Sequence, residues 1–107
     1  MDDFETAIRA IHRAACRVRD SGMPGDAGDL STAIHQYRVV IEHFDKLHVS
    51  FERTRRQLVQ TCFDWLEAAD ADSRSFAPTL TGQALAHARG ICDLTEEFGQ
   101  FIKGLKT

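Results

Sequence analysis

Apolar residues recur along this chain at helical spacing in three stretches, separated by two interruptions. The first stretch carries Phe4, Ile8, Ile11, Ala15 and Val18. This is a 4-3-4-3 pattern that draws one stripe down a helix over about 3–20. Asp2 or Asp3 can cap its start, and Gly22 is a plausible stop. The segment SGMPGDAGD, 21–29, then breaks the periodicity with three glycines and a proline.

The second stretch is the longest. Leu30, Ile34, Tyr37, Ile41, Phe44, His48, Phe51, Arg55, Leu58, Cys62, Trp65 and Ala69 hold a heptad-like spacing with no glycine or proline between them. This predicts one central helix over about 30–69, roughly 60 Å long at 1.5 Å per residue. A break near 47–50 would instead give a compact four-helix bundle. The flanks of the stripe change along its length. Ala33, Val40 and Leu47 widen it on one side before residue 48, and Val59, Phe63 and Leu66 widen it on the other side after residue 55. A change of flank implies a change of packing partner.

The third stretch follows a second interruption at 71–79. Leu80, Ala84, His87, Ile91, Leu94, Phe98, Phe101 and Leu105 mark a helix over about 80–105. Gly82, Ala86 and Gly90 form an adjacent row of small residues suited to close approach by a neighbour. The fold class is therefore all-α, a single domain over 1–107. The first helix packs antiparallel on one half of the central helix and the third helix on the other. Two-helix hairpins leave flanks uncovered, so Val49, Val59, Phe63 and Leu66 become candidate partner-binding residues. They also favour an antiparallel homodimer. In this register Arg55 falls opposite Glu96 as a structural ion pair, and Phe51 opposite Phe98.

Composition narrows the functional classes. The 107 residues are 43% hydrophobic with a net charge of −3, which argues against general affinity for nucleic acid or anionic membrane. No apolar run has the length of a membrane span. The segment MDDFETAIRA is acidic and lacks the basic and apolar regions of a secretory signal. Three cysteines without CxxC spacing fit reduced thiols in the cytoplasm. No Gly-rich phosphate loop and no serine–histidine–acid arrangement is present, so no cofactor is expected and no catalytic residue is assigned.

Polar residues within the stripes carry the remaining candidate chemistry. His48 and His87 read as hydrogen-bonded core histidines. Cys62, His87 and Cys92 could approach one another between the central and third helices, but a fourth zinc ligand is not evident, so no metal is assigned. Arg38 and His43, in RVVIEH, carry the Arg-x4-His spacing seen in helical ribonucleases of the HEPN type. Val39 departs from the polar residue usual at that position. This resemblance would imply a nuclease or toxin acting through Arg38 and His43. Arg53, Arg55 and Arg56 form a small basic patch diluted by Glu52, Asp64 and Glu67. Surplus apolar surface without a catalytic constellation points to a non-catalytic protein-interaction module: an adaptor, chaperone or regulatory subunit. The HEPN-like nuclease and an Arg53–Arg56 nucleic-acid contact are the alternatives.

Overall fold

In a computed structural model, residues 2–75 and 78–106 are described, with side chains over 3–75 and 78–103. Four helices fill almost all of them: α1 (Asp2–Ser21), α2 (Pro24–His43), α3 (Glu52–Ser75) and α4 (Gly82–Lys106). No strand occurs among the described residues. The all-α class therefore holds, and the arrangement is the four-helix bundle rather than the rod.

The continuous helix over 30–69 is not formed. The chain leaves helical geometry from Phe44 to His48, turns through a 3-10 segment at Val49–Phe51 and reverses into α3. The flank change around residue 48 marks this reversal. No residue here forbids a helix. The turn forms because reversal lets all four stripes face one interior, whereas a rod would leave half of them wet. Burial outweighs local propensity, which amounts to tenths of a kcal/mol per residue.

Named side chains hold the reversal. Arg55 donates to the Phe44 carbonyl at 2.5 Å and to both carboxylate oxygens of Glu52 at 2.7 and 2.5 Å. Its expected partner Glu96 is thus replaced by a contact across the turn. Leu47 is buried beneath the loop. His48, expected in the core, is exposed and accepts from the Ser50 backbone amide at 3.1 Å. Around this end Phe4 stacks on Phe44 at 4.3 Å, and Phe51 lies 5.7 Å from Phe98 and 4.6 Å from Phe101. The expected proximity of Phe51 and Phe98 is present.

At the opposite end the turn between α1 and α2 is only Gly22 and Met23. Gly22 has φ +63° and its amide returns to the Val18 carbonyl at 2.8 Å, a left-handed helix stop that glycine adopts without strain. The loop expected over 21–29 is mostly helix. Pro24 occupies the first turn of α2, where its missing N–H has no partner to lose. Asp26 favours the same helix end. The α3–α4 connection is held by Asp72, only 8% exposed, which accepts from the amide and hydroxyl of Thr81 at 3.0 and 3.1 Å. The Leu80 amide donates to the Gly22 carbonyl at 3.0 Å, joining the two connections.

Around the bundle, α1 packs on α2 and α4, and α3 packs on α4 and, more loosely, on α2. The molecule measures 45 × 20 × 20 Å. Its core includes Phe4, Ile8, Ile11, Leu30, Ile34, Leu58, Trp65, Ile91 and Phe98. Of the small-residue row on α4, Gly90 alone makes the expected close approach. A Cβ there would stand 3.3 Å from Thr61 Cγ2, while one at Gly82 would meet nothing within 4 Å. Leu105 lies outside the described side chains. Of the flank residues that favoured an antiparallel dimer, Val49 and Phe63 are exposed and Val59 and Leu66 half-buried. No helix of the described residues is long and apolar enough to cross a membrane.

Candidate functional site

Two seams of the bundle carry polar groups that the core does not require. The first lies between α1 and α4. His12, Cys16 and Arg19 occupy one edge of α1 at i, i+4 and i+7, so successive turns present them to the same neighbour. Cys92 and Thr95 face them from α4 at i and i+3. Cys16 Sγ and Cys92 Sγ are 2.8 Å apart, and His12 Nε2 is 3.6 Å from Cys16 Sγ. The donor atoms of His12, Cys16 and Cys92 all lie within 4.8 Å of one another. Arg19 Nη1 donates to Cys92 Sγ at 3.1 Å.

Thr95 fixes the orientation of the imidazole. It is 1% exposed, and its hydroxyl donates back to the helix carbonyls of Ile91 at 2.8 Å and Cys92 at 3.0 Å. With its proton committed there, Thr95 Oγ1 accepts from His12 Nδ1 at 2.8 Å. The Nδ1 proton assignment leaves the lone pair of Nε2 directed at the sulfurs. Burial, followed by the Cys16 thiol, pushes Cys92 up to about 12, with Arg19 opposing. A hydrogen bond donated to Asp20, then the nearby sulfurs, raises Arg19 above its ordinary value.

Sequence reasoning missed this cluster by placing α1 against the central helix alone. It paired Cys92 with Cys62 and His87 instead. The structure separates that trio: Cys92 turns to α1, while Cys62 is buried beside Arg38 and Glu42 of α2. The His12-x3-Cys16 spacing was the available signal, since i and i+4 share a helix edge.

The second seam, between α2 and α3, is the loosest of the four. It opens into a groove of about 630 Å³ whose lining includes Ala27, Leu66, Ala69 and Leu80, with Ser31, His35, Asp70 and Asp72 adding polar groups. Of the candidate partner-binding residues, Leu66 lines this groove and Val59 is half-buried against the core. Phe63 is 43% exposed beneath the guanidinium of Arg38, 4.7 Å from the ring centre. Val49, 77% exposed, lies apart on the 3-10 turn.

Arg38 and His43 are not brought together. Arg38 faces α3, binding Glu42 at 2.8 Å and covering Phe63. His43 lines a shallow hollow with Phe4, Val40 and Phe44 on the α1 side. Five residues apart on one helix, they point roughly 140° away from each other. Arg53 and Arg56 are exposed, whereas Arg55 is committed to the turn. No protein-family model, curated protein or solved structure matches the chain.

Proposed function

We propose that this chain is a non-catalytic interaction module that receives a basic, amphipathic helix of a partner protein in the α2–α3 groove. The observation that carries the reading is an apolar groove flanked on both helices by an excess of acidic residues. Asp70 and Asp72 line the groove itself, and the neighbouring turns of α2 and α3 add Asp26, Asp29, Asp64 and Glu67, with Arg38 and Arg74 as the basic residues of the same stretches. Six acidic residues against two basic ones concentrate negative charge along these two stretches. A groove of this size accepts a few apolar side chains, and the acidic margin selects lysine or arginine beside them. Leu66 contributes directly, with Val59 and Phe63 extending the same flank of α3. Three unpaired cysteines fit a reducing, cytoplasmic setting for such a module.

Gly28 supplies the test. It lines the groove, and a Cβ added there meets nothing within 4 Å, so Gly28→Arg fills the opening without disturbing the helix. Wild-type and Gly28→Arg proteins serve as baits in the native host. The segment recovered by cross-linking mass spectrometry is then synthesised and titrated by calorimetry. The expected result is a basic amphipathic segment whose binding weakens with salt and falls at least tenfold with Gly28→Arg. Equal binding to the variant, or light scattering showing a second copy of this chain as the only occupant, would overturn the proposal.

A further inference from the structure

We infer that His12, Cys16 and Cys92 form a binding site for a thiophilic d10 cation, Zn2+, at the seam between α1 and α4. This site is independent of the groove. Two sulfurs and one imidazole nitrogen are a preferred donor set for zinc, with a fourth position left to water. Tetrahedral zinc, with bonds of about 2.3 Å to sulfur and 2.0–2.1 Å to nitrogen, spaces its ligands about 3.5–3.8 Å apart. The 3.6 Å between His12 Nε2 and Cys16 Sγ already meets that spacing. The sulfurs, at 2.8 Å, need to open by about 1 Å. Cys16 is half-buried, so rotation of its side chain toward solvent supplies this movement and gives the ion its access.

The stronger argument is the support behind the ligands. A zinc-binding histidine characteristically donates its second ring N–H to a fixed acceptor, which sets the tautomer and the ring plane. Thr95 provides that acceptor from the core, and its own proton is already engaged by Ile91 and Cys92. Charge also closes: Zn2+ displaces two thiol protons, and two thiolates with a neutral imidazole make a neutral centre. Arg19 then donates to a metal-bound sulfur at Cys92. The two released protons pass to solvent.

Reduced, metal-free protein titrated with Co2+ tests the assignment. The expected result is one equivalent bound, with a sulfur-to-cobalt charge-transfer band and the intense d–d bands of a tetrahedral centre, both abolished by Zn2+. Cys16→Ser and His12→Ala each lower affinity at least tenfold, Thr95→Val lowers it about 10–100-fold, and Cys62→Ser changes nothing. Circular dichroism confirms the fold of each variant, and either of the half-buried positions 12 and 16 suffices alone for the comparison. Absence of the charge-transfer band overturns the proposal. So does a band indifferent to both Cys16→Ser and His12→Ala, or a Cys16–Cys92 disulfide forming in a chain that takes up no metal when reduced.

Discussion

Replacing Arg55 with methionine tests the account of the chain reversal. The substitution keeps most of the apolar stem, so little packing is lost, but removes the donor to the Phe44 carbonyl and the partner of Glu52. A hydrogen bond from a charged group contributes about 1.5–3 kcal/mol. The Glu52 pair, with the carboxylate 39% exposed, adds no more than about 1 kcal/mol. The expected loss is therefore about 2–3 kcal/mol, from a total of roughly 5–15 kcal/mol for a domain of this size. Each kcal/mol moves Tm by about 4 °C, so a fall of roughly 10 °C follows. Urea unfolding followed by fluorescence of buried Trp65 measures the loss directly. Arg55→Lys, with its charge but without the planar fork, falls between the two. Small-angle scattering on Arg55→Met separates weakened folding from a return to the unbroken helix, since the bundle has a radius of gyration of 13.7 Å. The reasoning is refuted by an Arg55→Met variant within about 0.5 kcal/mol of wild type, or by Glu52→Gln costing as much.

Other substitutions probe separate parts of the scaffold. Gly25→Ala, on a helix with nothing within 4 Å of the added methyl, stabilises by about 0.5–1 kcal/mol in chemical denaturation. Gly22→Ala, forced to φ +63°, destabilises by about 1 kcal/mol. Asp72→Ala strands the Thr81 amide and costs about 1–3 kcal/mol, read in the same assay. Burial pushes the Cys62 thiol from its ordinary 9.0 up to about 12. Between those values the folded state holds a proton that the unfolded state has released. The stabilisation is complete below pH 9 and is lost as pH rises, at up to about 1.4 kcal/mol per pH unit. Cys62→Ala lowers overall stability but flattens that alkaline slope.

How much of this architecture is legible in the sequence depends on which forces decide each part. Helix identity and facing residues follow from periodicity: the whole first stripe, Phe4 to Val18, is buried, as are Leu80, Ala84, Ile91 and Phe98 of the third. The reversal at Phe44–His48 is different. FDKLH contains no glycine or proline, so local preference leaves the helix free to continue, and only the collective burial of four stripes ends it there. Pro24 misleads in the opposite direction, because proline blocks the interior of a helix but suits its first turn. The α1–α4 cluster depends on that same reversal. Until the two hairpins fold together, nothing in the sequence sets His12 and Cys16 opposite Cys92 and Thr95. The groove residue Leu66 is legible as surplus apolar surface, while its acidic surroundings acquire meaning only once α2 and α3 are neighbours.

The α1–α4 seam offers a way to distinguish residues kept for chemistry from residues kept for folding. His12 and Thr95 satisfy each other, and a mutually satisfied polar pair adds little net stability relative to apolar groups of similar shape. Thr95→Val alone leaves the Nδ1–H of half-buried His12 without its acceptor and costs about 1–2 kcal/mol. The double variant His12→Leu/Thr95→Val removes both halves, and the Ile91 and Cys92 carbonyls lose only a supplementary donor. Its stability is expected within about 1 kcal/mol of wild type, so the second substitution recovers what the first lost. Urea denaturation of the four proteins in this cycle gives the coupling directly. If the double variant instead loses the sum of the two single effects, the side chains do not couple and each serves the scaffold through its own packing. The imidazole would then belong to the scaffold rather than to a ligand.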